Sequence, residues 1–506
     1  MDRAKNTTIT GGQFYANCTT QIQARSKGAQ QLHERSIFLC QRLPINLGLK
    51  NLIKNSATGA VYNSLERQQL DAPKCHPNTR IAVINRIIDW LLGKIGLDAL
   101  ILWLYGAAGA GKSAIAHSLA EICDKHGWLL ATFFFWKTAA ERSDITRFVT
   151  TIAYQIARAI PALSSRIEAA VDADPTIFHQ SIDAQLAKLI IGPLRRLHST
   201  GFEFKDSPFV IIVDGLDECQ RSNIQSGLVK SLVTAFRDSP LRIRILIASR
   251  PEVHLQSTFN SSSLEAHILH LALSNEYSPE EDIYRFLEDS FDKIKCEHPL
   301  ASYIPSSWPS ADVIHELAWR SSGQFIFAST TIKYVGGDLH QLPHRRLDVI
   351  CRLQPPTGEK DMPYAELNSL YHHVLSDVGN IEAVKLVLGT FIVVNEKLVE
   401  SEYGLEIYST REMDDWLSWQ PGESEACLSQ LASVIQCDED DDISILHASL
   451  SDFLLDPSRS QQFYLCRESV LGDSTAHGLC RLRQKEHDKH CVSILPSREF
   501  ILQVLI

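Results

Sequence analysis

Residues 99–121, ALILWLYGAAGAGKSAIAHSLAE, constrain the fold more than any other stretch of the chain. An unbroken apolar run reaches a glycine-rich turn, and an amphipathic segment follows with Ile115, Leu119 and Ile122 at helical spacing. An apolar run without alternation reads as a strand buried on both faces. Between strand and helix, Gly106, Ala107, Ala108, Gly109, Ala110, Gly111, Lys112 and Ser113 fit the spacing GxxxxGK[ST]. Glycines let the turn curl until its N–H groups converge, and the helix N-terminus adds a field that favours an anion. In this pattern Lys112 neutralises β- and γ-phosphates, and the Ser113 hydroxyl ligates Mg²⁺.

A phosphate loop of this kind needs an acid on a neighbouring strand to hold the metal's water shell. The run FVIIVDGLDEC supplies it: Asp214 stands where the apolar stretch ends, and Gly215 permits a turn there. Asp217 and Glu218 follow and are candidates to orient or activate an attacking water. In ILIASRPE, Arg250 again lies just past a buried strand, where a guanidinium can contact a terminal phosphate. LLATFFFW and AHILHLAL read as two further strands, and SDITRFVTTIAYQIARAIP as a helix capped by Ser143 or Asp144 and stopped by Pro161. Strands alternating with helices predict an α/β fold, a parallel sheet with helices on both faces.

After about residue 276 the strand signals cease. SPEEDIYRFLEDSFDKI, GQFIFASTTIKYV, PYAELNSLYHHVL and SEACLSQLASVIQ read as helices. SVIQC and ISILHAS then suggest a hairpin joined by the acidic run Asp438 to Asp442. Residues 1–70 are rich in Gln and Asn, with only LGLKNLIKNS hinting at a helix, and residues 466–506 show no plan.

The three edge motifs, in this order, resemble the NACHT group of signal-transducing P-loop NTPases, and most of all fungal, nephrocystin-like members. CHPNTR, DGLDEC, IASRPE, GQFIFAST, LNSLYHHVL and ILHASLSDFLLDPSRS carry the likeness, which spans about residues 75–465. The resemblance implies a nucleotide-binding domain at 75–275, a helical domain at 276–360 and a winged-helix domain at 361–465, with 1–74 and 466–506 unassigned. It implies ATP or ADP with Mg²⁺ as ligands, and a switch in cytoplasmic signalling of the defence or self/non-self kind, hydrolysing slowly. His447 matches a family histidine that contacts the β-phosphate of ADP and locks the protein shut. Thr79 and Arg80 match a stretch near the adenine. Relatives carry Gly-x-Pro where this chain has GQFIF, so no nucleotide contact is assigned to Gly323 to Phe325. Relatives usually carry a repeat recognition domain after the winged helix; none is read here up to Ile506, which leaves either a truncated product or a partner that supplies sensing.

Two other functions compete. A turnover ATPase needs an arginine finger and a substrate element; Arg142 and Arg147 read only as a helix face. A DNA-binding winged helix needs positive charge, but Glu412–Ser458 contains no Lys or Arg and twelve acidic residues, Glu423 and Glu425 among them. The net charge of −11 points the same way, away from nucleic acid and anionic membranes. No eighteen-residue apolar run or signal peptide is present, and the sequons at Asn6, Asn17 and Asn260 then carry no meaning. Twelve scattered cysteines without a CxxC pair suit reduced thiols. Cys480, His487, His490 and Cys491 fit no common zinc spacing. Protein partners and a nucleotide-dependent homo-oligomer are expected without being identified by any motif.

Overall fold

Strands β1 (Ile101–Tyr105), β2 (Leu129–Phe134), β3 (Phe209–Asp214), β4 (Ile243–Ser249) and β5 (Ile268–Ala272) form one parallel sheet in the order β2-β3-β4-β1-β5. The computed structural model describes residues 47–477 except 70–71, 138, 205–206, 220, 274–276, 356–363, 397–406, 439–440 and 475. The alternation of side chains along each strand feeds two apolar layers. Ile101, Trp103, Ile211, Val213, Ile245 and Ile247 enter the core on one face. Leu102, Leu104, Val210, Ile212, Leu246 and Ala248 enter the core on the other. Burial on both faces is why the strands read as unbroken apolar runs, and the P-loop α/β fold expected from the sequence is the one observed.

Helix α1 (Leu47–Lys54) falls in the unassigned segment 1–74. It packs against α4 (Phe148–Ala159) and α5 (Pro161–Ala173), and Leu52, Ala57 and Ala60 are wholly buried there. Helix α2 (Ile81–Leu91) buries Val83, Ile87, Trp90 and Leu91. The helix after the phosphate loop, α3 (Lys112–Lys125), buries Ile115, Ala116, Leu119, Ala120 and Cys123, while Ile122 stays half-exposed. Asp144, not Ser143, accepts the capping amide, from Thr146 at 2.9 Å. Pro161 ends α4 and opens α5 in the same stroke, since its missing N–H suits a first helical position.

Beyond β5 the described residues hold helices and one hairpin. Helices α7 (Pro279–Glu297), α8 (Ala311–Arg320), α9 (Phe325–Gly337), α10 (Pro343–Arg352), α11 (Ala365–Ser376) and α12 (Ile381–Gly389) follow α6 (Ser222–Phe236) of the sheet region. Then come α13 (Thr410–Leu417), α14 (Glu423–Ser429), the antiparallel pair β6 (Ile435–Cys437) and β7 (Ile443–Ile445), and α15 (Ala448–Leu454). The helix read from SEACLSQLASVIQ stops at Ser429, because Val434 and the residues after it turn into β6. One apolar core runs from Ile283 to Val470 through all these elements. No helix among the described residues is long and apolar enough to cross a membrane, and the eight described cysteines are free. The Cys480–Cys491 cluster lies outside the described residues, as do Asn6 and Asn17.

Because Leu52 is fully buried between α1 and the sheet's outer helices, Leu52→Ala is expected to cost about 2–5 kcal/mol in denaturant unfolding. A loss under about 1 kcal/mol would mean that α1 does not belong to this core.

Candidate nucleotide-binding site

Strand register builds the site. Tyr105 lies opposite Ser249, and Asp214 pairs with Ala248 on one side and Phe134 on the other. The ends of β1, β3 and β4 are therefore level, and Gly106, Gly215 and Arg250 leave the sheet side by side. This is the carboxyl edge, where open parallel sheets place ligands. A cavity of about 1830 Å³ opens over it, walled by the phosphate loop and by residues of α9, α11, β7 and α15.

The loop itself is tightly wound. Gly109 and Gly111 have φ of +75° and +90°, conformations that strain a residue bearing Cβ. Lys112 folds back, its ammonium donating to the carbonyls of Gly106 and Ala107 at 2.9 Å each. Burial lowers its pKa, while Asp217, Asp214 and Glu218 pull the other way. Asp214 is buried, and burial raises its pKa against the opposing influence of Ser113, Arg67 and Lys112. Its Oδ1 is buried with no hydrogen-bond partner among the described residues. An orphaned carboxylate oxygen beside a serine hydroxyl at a helix N-terminus suits a hydrated divalent cation. The residues present thus fit Mg²⁺ and a polyphosphate: Ser113 and Asp214 would hold the metal, Lys112 and the loop amides the phosphates.

The two acids that the sequence treats alike are separated by the structure. Asp217 accepts the backbone N–H of Arg250 at 2.9 Å and meets its Nε at 3.2 Å. Among the described residues, Glu218 accepts only the Lys137 amide, at 3.2 Å. Burial, then the Asp217 and Asp214 carboxylates, push Glu218 up to about 8, so it holds a proton at neutral pH in the ligand-free site. Arg250 is drawn into two ion pairs, with Asp217 and with Asp452 of α15, rather than pointing unpaired at the cavity. Burial opposes its charge, but Asp452 and Asp217 more than compensate and raise its pKa.

Thr79 and Arg80 lie on the cavity wall. Thr79 Oγ1 donates to the His76 carbonyl at 2.8 Å. Arg80 donates from Nη2 to the Ala110 carbonyl at 2.9 Å, bracing the phosphate loop, and its backbone N–H donates to Asp282 of α7. His447 caps α15: the Ser449 amide donates to its Nδ1 at 3.1 Å, which leaves the proton on Nε2. Burial first, then Arg250 and Lys112, lower His447 to about 3 and keep the ring neutral.

Three contacts were not legible in the sequence. Ile326 of α9 presses on the phosphate loop so closely that a Cβ on Gly109 would stand 2.2 Å from its Cγ2. Phe325, in the GQFIF segment with no assigned contact, lines the same cavity and lies under the Arg80 guanidinium at 4.9 Å. The Ala108 amide, a phosphate-loop donor, is 3.2 Å from the Tyr364 hydroxyl. Arg142 is not on a solvated helix face. It is buried, with Nε donating to the Phe134 carbonyl and Nη1 paired with Glu66 at 2.8 Å, because the chain before α2 folds over it. Arg147 does stay at the surface, paired with Glu141.

Residues 85–250, which span β1 to β4 and the loops after them, match the family model described as Nephrocystin 3, N-terminal. No curated protein sequence matches. Among solved structures, the Walker-type ATPase PABY2304 of Pyrococcus abyssi is similar at 14% identity and a TM-score of 0.33, over 76% of this chain and 99% of that one. Cdc6p from Pyrobaculum aerophilum matches at 13% identity and 0.31, over 75% and 93%. A chain of the Drosophila ORC bound to DNA matches at 12% and 0.29, over 80% and 91%.

Glu218 sets a pH expectation for the ligand-free protein. An unfolded Glu ionises near 4.5, whereas this one holds its proton to about 8. Its contribution to stability is therefore full below about pH 4.5 and is lost as pH rises through about 8. With nucleotide and metal stripped, Glu218→Gln should lose less stability than the wild type between about pH 5 and 8.5. Parallel profiles would show that Glu218 ionises normally.

Proposed function

We propose that the chain is a nucleotide-controlled switch of the NACHT kind, in which bound ADP with Mg²⁺ holds the α7–α15 region against the carboxyl edge of the sheet. The carrying observation is that the phosphate-loop cavity is walled from both sides. Ile326 and His447, from beyond β5, line it; Tyr364, from the same region, accepts the Ala108 amide of the loop; and Arg250 bridges to Asp452 across the same cleft. A ligand shifts a two-state equilibrium only by its differential affinity for the two states. Contacts from His447 and Tyr364 exist only while the cleft is shut, so they are where such a difference would arise.

Lys112 and the loop amides would bind the diphosphate, and Ser113 with Asp214 would hold the metal. Bound Mg²⁺ would supply charge neutralisation between the phosphates. The neutral His447, with its proton on Nε2, would donate toward a phosphate oxygen. Exchange of ADP for ATP would strain these closing contacts and free a surface for a second copy or a partner protein. The Arg250–Asp217 pair supports slow rather than rapid hydrolysis, because it ties up one of the two acids and the edge arginine together. The acidic hairpin between β6 and β7 and the acidic α14 again speak against DNA as a partner.

Protein purified with Mg²⁺ should release ADP on denaturation, and Lys112→Ala should abolish this. His447→Ala should weaken ADP retention about tenfold or more while changing ATP binding less than about threefold, which titration of both nucleotides measures. Equal losses would remove His447 as the closing contact. Steady-state turnover should stay far below the roughly 10 s⁻¹ typical of enzymes; brisk turnover stimulated by a second substrate would favour a motor or remodelling ATPase instead.

A further inference from the structure

Arg67 lies in the segment before the phosphate-loop domain, and the proposed function gives it no role. The short helix Leu65–Gln69 carries it over the end of β2, where its guanidinium carbon sits 3.9 Å from the centroid of the Phe134 ring. The residue is 4% exposed, and its Nε is buried with no hydrogen-bond partner. Among the described residues no carboxylate forms an ion pair with it. Yet Asp214, Glu66 and Glu218 are near enough to act on its charge, and so are Arg142 and His117. Its neighbour Arg142 is already committed to Glu66 and to the Phe134 carbonyl. Arg67 lines the same cavity as Lys112, Ser113, Asp214 and Glu218.

A buried guanidinium without a hydrogen-bonded anion is expensive, and stacking on one aromatic ring does not satisfy its N–H groups. Such a group is poised to take an oxyanion. Phe134 packs on the same side of the sheet as α3, whose first turn carries Lys112 and Ser113, so Arg67 approaches the metal side of the site. The carboxylates already there would repel a second carboxylate from solution, whereas a phosphate arrives with its own counter-cation. Planar forked donors match phosphate oxygens.

We propose that Arg67 is an arginine supplied by this chain itself to the terminal phosphate of the bound nucleoside triphosphate. This rests on the switch reading above and deepens it. In hydrolysis the water oxygen bonds to the terminal phosphorus, and the bond from phosphorus to the bridging oxygen breaks. The electron pair leaves with the diphosphate, and the water's protons end on the released phosphate and in solvent. Negative charge shifts among the phosphate oxygens during this exchange, and an arginine in contact with them accelerates it. The same contact would exist with ATP and vanish with ADP, so the segment before α2 would sense the terminal phosphate.

The test uses the full chain as wild type, Arg67→Gln, which keeps a flat side chain over Phe134, and Arg67→Ala. ADP binding, single-turnover ATP cleavage, phosphate release, and trapping of ADP with aluminium fluoride and Mg²⁺ are measured on each. Arg67→Gln is expected to bind ADP within about threefold of wild type, to cleave ATP at least about 100-fold more slowly, and to lose the trapped aluminium fluoride complex. Wild-type cleavage or trapping in Arg67→Gln would overturn the assignment. So would equal losses of ADP binding and cleavage in both variants, which mark a structural arginine. Unchanged cleavage with altered phosphate release would place Arg67 on free phosphate and likewise overturn it. A wild type that binds ATP but neither cleaves it nor traps the complex would refute Arg67 alone; a wild type that binds no nucleotide would refute the switch reading itself.

Discussion

A half-buried ammonium at the carboxyl edge of the sheet calls for carboxylates around it, and the rest of the site follows from that requirement. Lys112 is fixed by its own loop, and β3 must end level with β1 for Asp214 to face it. The parallel register meets this condition, and the same register brings Arg250 out of β4 beside Asp217. Charge then accumulates along the floor of one open cavity. Asp214 keeps an unpartnered oxygen, Glu218 keeps its proton, and His447 loses its own. These are the features of a site that awaits a polyanion and a cation together, since either alone leaves a buried charge uncompensated.

The second consequence is mechanical. A glycine loop that must wrap a phosphate has no side chains to fill the space above it, and the α7–α15 region fills that space. Ile326 lies where any residue but glycine at 109 would collide, and Tyr364 occupies an amide that the loop would otherwise aim at a ligand. Under the switch reading, a ligand and the covering region compete for or share the same donors. Coupling of this kind needs no long pathway, because the site and its cover touch. Arg250 carries the tension in one side chain: it cannot pair with Asp452 across the cleft and turn fully to a phosphate at once.

Much of this was legible in the sequence where local chemistry dictates it. The unbroken apolar runs foretold buried parallel strands, and the glycine spacing before Lys112 foretold the loop. Asp214 and Arg250 were found because each ends an apolar run. What stayed hidden depends on long-range packing. Tyr364 meets Ala108 across 256 positions, and Arg250 meets Asp452 across 202, and no motif signals that either pair meets. Arg142 read as a helix face and Arg67 drew no reading, because nothing local signals that α1 and the chain after it fold down over β2. Helix α14 was read too long because SVIQ continues an apolar helical pattern, and only pairing with β7 turns it into strand.

The central claim is that nucleotide governs whether the region beyond β5 stays on the carboxyl edge. Labels at Val253, just past β4, and at Gln420, before α14, are both at exposed positions and report the distance across the cleft by pulsed spin resonance. With ADP and Mg²⁺ the account predicts a single narrow distance, and with a non-hydrolysable ATP analogue a shift to a longer and broader distribution. The same distribution with ADP, with the analogue and with no nucleotide would contradict it.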